Sequence, residues 1–325
     1  MTEELRDGYD VVVIGGGAAG LNGALMLARS RRSVLVIDAG APRNAPADGV
    51  HGLLARDGTP PAELVARGQA EVRGYGGQIL RGAVRAVARA GAGFTVTLAD
   101  GRAVSALRLL VATGLVDELP EIPGVRERWG RDVLHCPYCH GWEVRDRAIG
   151  IIATGPNAVH QALLFRQLSA DVTVFAHTAP PGAEQVEQLA ARGIALVPGS
   201  VEEVVIADDR ITGVRLGDGT VLPREVIVVG PRMVARGELL AGLGLVTEEH
   251  PSGMGETVPA DAFGRTEVPG IWVAGNVTDL SAQVGAAAAA GAMAGAQINA
   301  DLVMAETQAA VELHRAGAGF SPAGG

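Results

Sequence analysis

Residues 10–38, DVVVIGGGAAGLNGALMLARSRRSVLVID, restrict what this chain can fold into more than any other stretch. An apolar, β-branched run at 11–14 enters the turn Gly15-x-Gly17-x-x-Gly20, a helix-period stretch follows over 18–29, and a second apolar run at 34–37 ends in Asp38. Strand, glycine turn, helix and strand in that order predict a βαβ unit. Gly15 permits the tight turn, Gly17 lets the backbone approach a pyrophosphate, and Gly20 lets helix and strand pack closely. The free N–H groups where the helix begins, at Ala18 and Ala19, face the phosphates. Asp38 is placed to accept hydrogen bonds from a ribose diol. Glycine is abundant in this chain, so the spacing alone would be weak. The strand before, the helix after and the terminal acid favour a dinucleotide site over a purely structural turn.

The pattern returns at residues 147–179, RAIGIIATGPNAVHQALLFRQLSADVTVFAHTA. Aligning the turns sets Ala153-x-Gly155-x-x-Ala158 on the first unit's glycines, and Ala176 falls at the position of Asp38. No acid stands there, and no arginine lies between Arg166 and Arg192 to hold the 2′-phosphate of NADP. The second unit is expected to keep its shape and to have lost its ligand-reading residues. Short β runs at 94–98 and 210–216 end in the turns Asp100-Gly101 and Asp218-Gly219, and runs at 109–114 and 226–230 look like closing strands. The expected fold class is α/β, with two Rossmann-like dinucleotide-binding domains, the second inserted into the first. Residues 1–116 and 246–312 form one domain, 117–245 the other, and 313–325 a flexible tail. Crossings are expected at 116–123, with Pro120 and Pro123, and around 242–250.

A net charge of −9 and a pI near 5.3 offer no basic face to nucleic acid or to an anionic membrane. No lysine occurs, which excludes lysine-based mechanisms. The opening residues MTEELRDGYD contain no basic, apolar, cleavable run, and no uncharged apolar stretch of about 18 residues suits a membrane span. The expected location is the cytoplasm.

The only two cysteines, Cys136 and Cys139, lie in HCPYCHG, residues 135–141. A redox-active disulfide, half of a zinc site and plain packing all fit a lone CxxC in a reducing compartment. Zinc normally takes four ligands, and the usual spaced second pair is missing, so no metal site is expected. CPYC also opens the small domain of glutaredoxins, but here a complete βαβ unit precedes it. His140 is the candidate for acid–base work, since an imidazole titrating near about 6.5 can take a thiol proton at neutral pH; a solvent-exposed turn histidine is the alternative. His135, His51 and His160 have weaker claims, with His160 expected on a helix surface. Tyr138 and Trp142 either line a substrate cleft or pack. Residues 41–61, with Arg43, Asn44 and His51, border the cofactor or the substrate, or form a plain surface loop.

The glycine-rich start, the Ala112-Thr113-Gly114 strand end, the CxxC and the late GIWVAGNVTD at 270–279 before an alanine-rich helix belong together. In combination they resemble the low-molecular-weight thioredoxin reductase family of FAD flavoproteins, over all but the tail. The resemblance implies FAD as cofactor, held by Gly15, Gly17, Ala18, Ala19, Gly20, Asp38, Thr113, Gly114, Gly275, Asn276, Gln283 and Val284. A strand at 271–274 feeding a glycine and then a helix supports the last four independently. The small residues 286–291 and Gly295 suit close helix packing. By the same resemblance Cys139 is the flavin-proximal thiol, Cys136 the outer one that exchanges with substrate, and the protein a homodimer. A vicinal pair suits this, because one thiolate attacks while the other resolves.

Three departures from the reductases stand out. His140 replaces an aspartate after the second cysteine, the basic motif for the NADPH phosphate is absent from 173–181, and Asn276 replaces an aspartate at the ribityl chain, where it is expected still to donate and accept. The first two resemble the dithiol oxidases that close disulfides in natural products such as gliotoxin and holomycin. The implied reaction is disulfide formation in a small-molecule dithiol, with O2 as electron acceptor giving hydrogen peroxide. A thioredoxin-type disulfide reductase fed by NADH, NADPH or ferredoxin is the alternative, and a non-catalytic flavin redox sensor a second one.

Overall fold

A computed structural model describes residues 5–318. Strand β1 (Gly8–Ile14) runs through the glycine turn into helix α1 (Ala18–Arg29) and β2 (Val34–Asp38). After a long loop come α2 (Pro61–Gly74) and β3 (Gln78–Arg81), and then β4 (Val84–Ala90), β5 (Gly93–Leu98) and β6 (Ala103–Val111). The sheet order is β3-β2-β1-β6-β5-β4. Strand β1 is parallel to both neighbours, with Val13 opposite Val36 and Leu110. Val11, Val12 and Val13 are all fully buried, which is why that run is continuously apolar rather than alternating.

The chain leaves along β7 (Leu115–Glu118) and passes the single turn α3 (Val125–Arg128) and β8 (Val133–Leu134). The short helix α4 (Pro137–His140) follows, then the second βαβ unit: β9 (Ile149–Ile152), α5 (Ala158–Phe165) and β10 (Val172–Phe175). Next come α6 (Ala183–Ala191), β11 (Ala195–Val197), and an antiparallel sheet of β12 (Val201–Ala207), β13 (Arg210–Leu216) and β14 (Val221–Leu222). Strand β15 (Val226–Val229) closes a parallel sheet of order β11-β10-β9-β15-β8.

The return runs along β16 (Arg232–Ala235), antiparallel to β7 with Met233 opposite Asp117, ahead of the 242–250 stretch expected from the sequence. Pairing sets the two crossings side by side, and Thr113 Oγ1 and Gly114 O bond the backbone of Arg236 at 2.7 and 3.0 Å. Residues 238–243 instead form a 3-10 turn. Strands β17 (Glu248–Glu249) and β18 (Gly255–Thr257) extend the β7–β16 pair, β19 (Ile271–Val273) rejoins the first sheet beside β6, and α7 (Val284–Ala318) crosses α1.

That crossing is close because α7 presents no side chain at Gly291, where a Cβ would lie 1.9 Å from Ala19 O. Helix α7 also corrects one expectation. It continues through 313–318, which the sequence assigned to a flexible tail; an alanine-rich, proline-free segment propagates helix readily. The rest of that tail, 319–325, lies outside the described residues. Among the described residues no helix is long and apolar enough to cross a membrane.

The internal repeat is visible in single bonds. Gly15 N donates to Ile37 O at 2.8 Å, and at the same offset Ala153 N donates to Phe175 O at 2.9 Å.

Candidate active site

The first glycine turn is a cradle with its side chains removed. Gly15 has φ of +107°, a region open to glycine, and a Cβ there would lie 2.3 Å from Ala112 O. A Cβ on Gly20 would meet Gly15 O at 1.9 Å, so that position sets helix-to-strand packing, whereas a Cβ on Gly17 would meet nothing within 4 Å. Gly16 N donates to Asp38 Oδ1 at 3.0 Å, which fixes the carboxylate at the turn. No side chain caps α1, so its first N–H groups are free for an anion. Bare backbone at Gly17, free amides and an oriented carboxylate fit the pyrophosphate and ribose of a dinucleotide.

A cavity of about 1190 Å³ is lined by Gly15, Gly17, Ala18, Ala19 and Asp38, by Thr113 and Gly114, and by Gly275, Asn276, Gln283 and Val284. Cys136, Cys139 and His140 line the same cavity. Residues from three distant parts of the sequence thus meet. Of the expected cofactor residues only Gly20 is off the wall.

Asn276 differs from expectation. Its Nδ2 donates to Asp279 O at 3.0 Å, Ala282 O at 2.9 Å and, more weakly, Leu280 O at 3.5 Å. The amide nitrogen is committed to the loop before α7, so only Oδ1 is left to face a ligand.

Cys136 caps the short helix α4, with Pro137 at the first helical position, where a missing N–H costs nothing. Gln161, buried on α5, donates Nε2 to His135 O at 3.0 Å and fixes the chain as it enters the motif. Both cysteines are free thiols and partly buried. The Cys139 thiol donates to the Cys136 sulfur, and the backbone N–H groups of Cys139 and Tyr138, with Arg43 beyond them, add to this. Together they bring the Cys136 thiol down to about 7 despite burial. Cys139, as the donor and itself buried, is pushed well above the ordinary thiol range.

His140 is held below its usual value, first by burial and then by the neighbouring charge of His51, against the opposing pull of Glu143 and Asp48. Its Nε2 is buried and has no hydrogen-bond partner. A neutral imidazole with a free ring nitrogen can take or return a proton. His135 is pushed down to about 4 by burial, then by Arg43. His51 lies 3.4 Å from Glu143 and 3.5 Å from Asp57. His160 is exposed on α5, as expected. Tyr138 and Trp142 are 66% and 65% exposed and are not among the residues lining the cavity, and Arg145 covers one face of Trp142 at 4.2 Å. They neither pack in a core nor line this cavity.

The sequence missed Asp117, Glu143 and Gln161. Asp117 joins Arg43 of the 41–61 loop through two bonds of 2.6 and 2.7 Å, spanning 74 residues, and no local pattern signals such a contact. Arg43 and His51 line the cavity, so that loop borders the site.

The second turn is built differently. Ala153 is not in the left-handed region that Gly15 occupies, and Ala179 N, after β10, bonds back to Ala153 O at 3.1 Å. Ala176 is buried. His177 Nδ1 accepts from Val201 N at 3.0 Å, and burial keeps that ring below its usual value, so it carries no charge for a phosphate.

The sequence model of the pyridine nucleotide-disulphide oxidoreductases matches residues 9–296. The chain belongs to that family. It is similar to thioredoxin reductase tcpT of Claviceps purpurea, 33% identical over 90% of this chain and 95% of the relative. It is similar also to thioredoxin reductase sirT of Leptosphaeria maculans, 30% identical over 94% and 98%. Among solved structures, HlmI superposes with a TM-score of 0.90 at 46% identity, covering 97% of this chain and 98% of that one. The resemblance in the sequence is therefore borne out: the protein is a thioredoxin reductase-like oxidoreductase, and its cofactor is FAD.

Proposed function

We propose that the protein is an FAD-dependent dithiol oxidase that closes a disulfide in a small-molecule dithiol, with O2 as the final acceptor and hydrogen peroxide as product. The observation that carries this reading is one cavity lined both by the cofactor cradle and by Cys136, Cys139 and His140; it is supported by a second unit with Ala176 at the position of Asp38 and no arginine between Arg166 and Arg192. A reductase fed by NADH or NADPH would need that second site. The FAD-binding half lies outside the β7 and β16 crossings and includes Leu240 and Leu245 in its core, and the inserted half lies between those crossings. The protein works as a homodimer in the cytoplasm.

FAD would be held by the Gly15–Gly20 turn, Asp38, Thr113, Gly114 and residues 275–284, and when bound it supplies a two-electron acceptor that passes its electrons to oxygen. The chain's own groups handle sulfur and protons. His140 Nε2 takes the proton of one substrate thiol, and the resulting thiolate attacks Cys136 Sγ of the Cys136–Cys139 disulfide. Cys139 leaves, with its proton returned by His140. The second substrate thiol attacks the mixed disulfide, so the substrate leaves with an S–S bond and the enzyme holds two thiols. Cys139 would be the flavin-proximal member, and re-forming the Cys136–Cys139 disulfide would give up the two thiol protons and supply two electrons to the flavin. The low Cys136 value supports the division of labour, because Cys136 is then the better leaving thiolate in the resolving step.

The test is oxygen uptake with reduced small-molecule dithiols. Steady uptake, one peroxide per disulfide formed, and loss of both in Cys136→Ser and Cys139→Ser are expected. No uptake with any dithiol would overturn the oxidase reading and leave the reductase and redox-sensor readings.

A further inference from the structure

The CxxC turn is mounted at both ends on α5 and the turn that follows it. At the exit, Asp146 N donates to Leu168 O at 3.0 Å, and Gly141 lies so close that a Cβ on it would fall 2.3 Å from the Leu168 side chain. At the entry, Gln161 Nε2 donates to His135 O at 3.0 Å, and Gln161 is only 7% exposed. The internal repeat shows that a helix at this place does not itself require a glutamine. Gln161 stands eight residues after Ala153, as Gly23 stands eight after Gly15. In the first unit the position is bare, and a Cβ on Gly23 would lie 2.8 Å from the Gly291 oxygen of α7. In the second unit the chain met there is the segment leading into Cys136, and a buried amide donor meets it.

We propose that Gln161 is a positioning residue for Cys136: its bond to His135 O fixes the peptide plane that carries the Cys136 Cα, and so holds the sulfur in line with the Cys139 thiol and the N–H groups of Tyr138 and Cys139. The His135 carbonyl and the Cys136 Cα belong to one planar peptide unit, so a bond that fixes the first orients the second. Cys136 caps α4 in an extended conformation, φ −104° and ψ 120°, where its own N–H makes no bond within that helix. The proposal rests on the reading of Cys136 as the exchanging thiol given above. Beside Cys136 on its own segment are His135, Cys139 and His140, and from the β2–α2 loop the Arg43 charge bears on it. Gln161 carries no charge, so its removal acts by geometry and not by field. Geometry has a signature of its own at the two thiols. The bond from the Cys139 thiol to the Cys136 sulfur lowers Cys136 and raises Cys139, so misaligning it brings the two together, whereas a change of field moves both the same way.

The test compares the reduced holoprotein with Gln161→Met, which keeps the length without a donor, and Gln161→Asn, which keeps the amide one methylene short. Each is alkylated with iodoacetamide between about pH 5 and 9. The rate at each cysteine is read by peptide mass spectrometry, and flavin content reports folding. In both variants the Cys136 profile is expected to move to higher pH and the Cys139 profile to lower pH. The ratio of the Cys136 rate to the Cys139 rate near pH 6.5 should fall by about threefold to tenfold. Unchanged profiles in flavin-loaded variants, or a parallel shift of both cysteines, would overturn the proposal and leave Gln161 a packing contact. Failure of both variants to hold flavin would overturn it too, because the bond would then secure the fold rather than the thiol. Alkylation needs neither oxygen nor a dithiol, so its outcome is independent of whether the oxidase reading survives.

Discussion

Asn276→Asp, a change of one side-chain atom, tests how the flavin site is built. The Asn276 amide nitrogen donates to Asp279 O at 3.0 Å and Ala282 O at 2.9 Å, with a weaker contact to Leu280 O at 3.5 Å. An ionised aspartate has no proton to give, so two good bonds at about 0.5–1.5 kcal/mol each are lost, or about 1–3 kcal/mol together. A carboxylate would also face three carbonyl oxygens and push the 279–282 loop away. Gln283 and Val284 follow directly and line the cavity, so part of that energy is expected to appear as weaker FAD binding, about tenfold to a hundredfold. Asn276→Ala removes the donors without adding charge and should fall between parent and aspartate. Flavin release on dilution gives Kd, and urea unfolding of the apoprotein gives the stability share. An aspartate variant that holds FAD and resists urea like the parent would refute the reasoning, and would return position 276 to the reductase-like role of facing the ribityl chain.

Three further outcomes are expected. Gly17→Val places a side chain in the open space over the cradle and should purify with little or no FAD while keeping its fold by circular dichroism; a fully flavinated variant would contradict the cradle assignment. His140→Ala should slow dithiol turnover by about 10²–10⁴-fold, and a change below about threefold would make His140 a bystander. The Cys136 thiol, lowered to about 7, gains its reactive thiolate as pH rises through that value and loses it below, so its alkylation should be half-maximal near pH 7 while Cys139 lags to higher pH. The reverse order would exchange the two cysteines' roles.

What the sequence makes legible here is local. The βαβ unit at 10–38 and its copy at 147–179 carry their own periodicity and turn residues, and the paired bonds at Gly15 and Ala153 follow the sequence alignment residue for residue. Gly15 and Gly20 are legible because each answers a steric demand, against Ala112 O and Gly15 O, whereas a side chain on Gly17 would meet no protein atom. The return crossing at β16 is not, since it depends on pairing with β7 more than a hundred residues earlier, and nothing near 232–235 marks it. The Arg43–Asp117 pair escapes for the same reason. Asn276 lines the cavity, yet its hydrogen-bonding partners are backbone carbonyls, which carry no residue signature.

In the proposed reaction electrons enter from a dithiol and leave to oxygen. Under anaerobic conditions, mixing the purified protein in separate arms with a reduced small-molecule dithiol, NADPH and NADH, while following flavin absorbance, tests it most directly. The account predicts rapid bleaching by the dithiol, slow or no bleaching by either nicotinamide, and recovery of the spectrum with one equivalent of peroxide when air is admitted. Ala176 offers no acceptor to an NAD ribose, and the uncharged His177 no counter-charge to an NADP phosphate. Rapid bleaching by NADPH or NADH would contradict the account and make the protein a reductase.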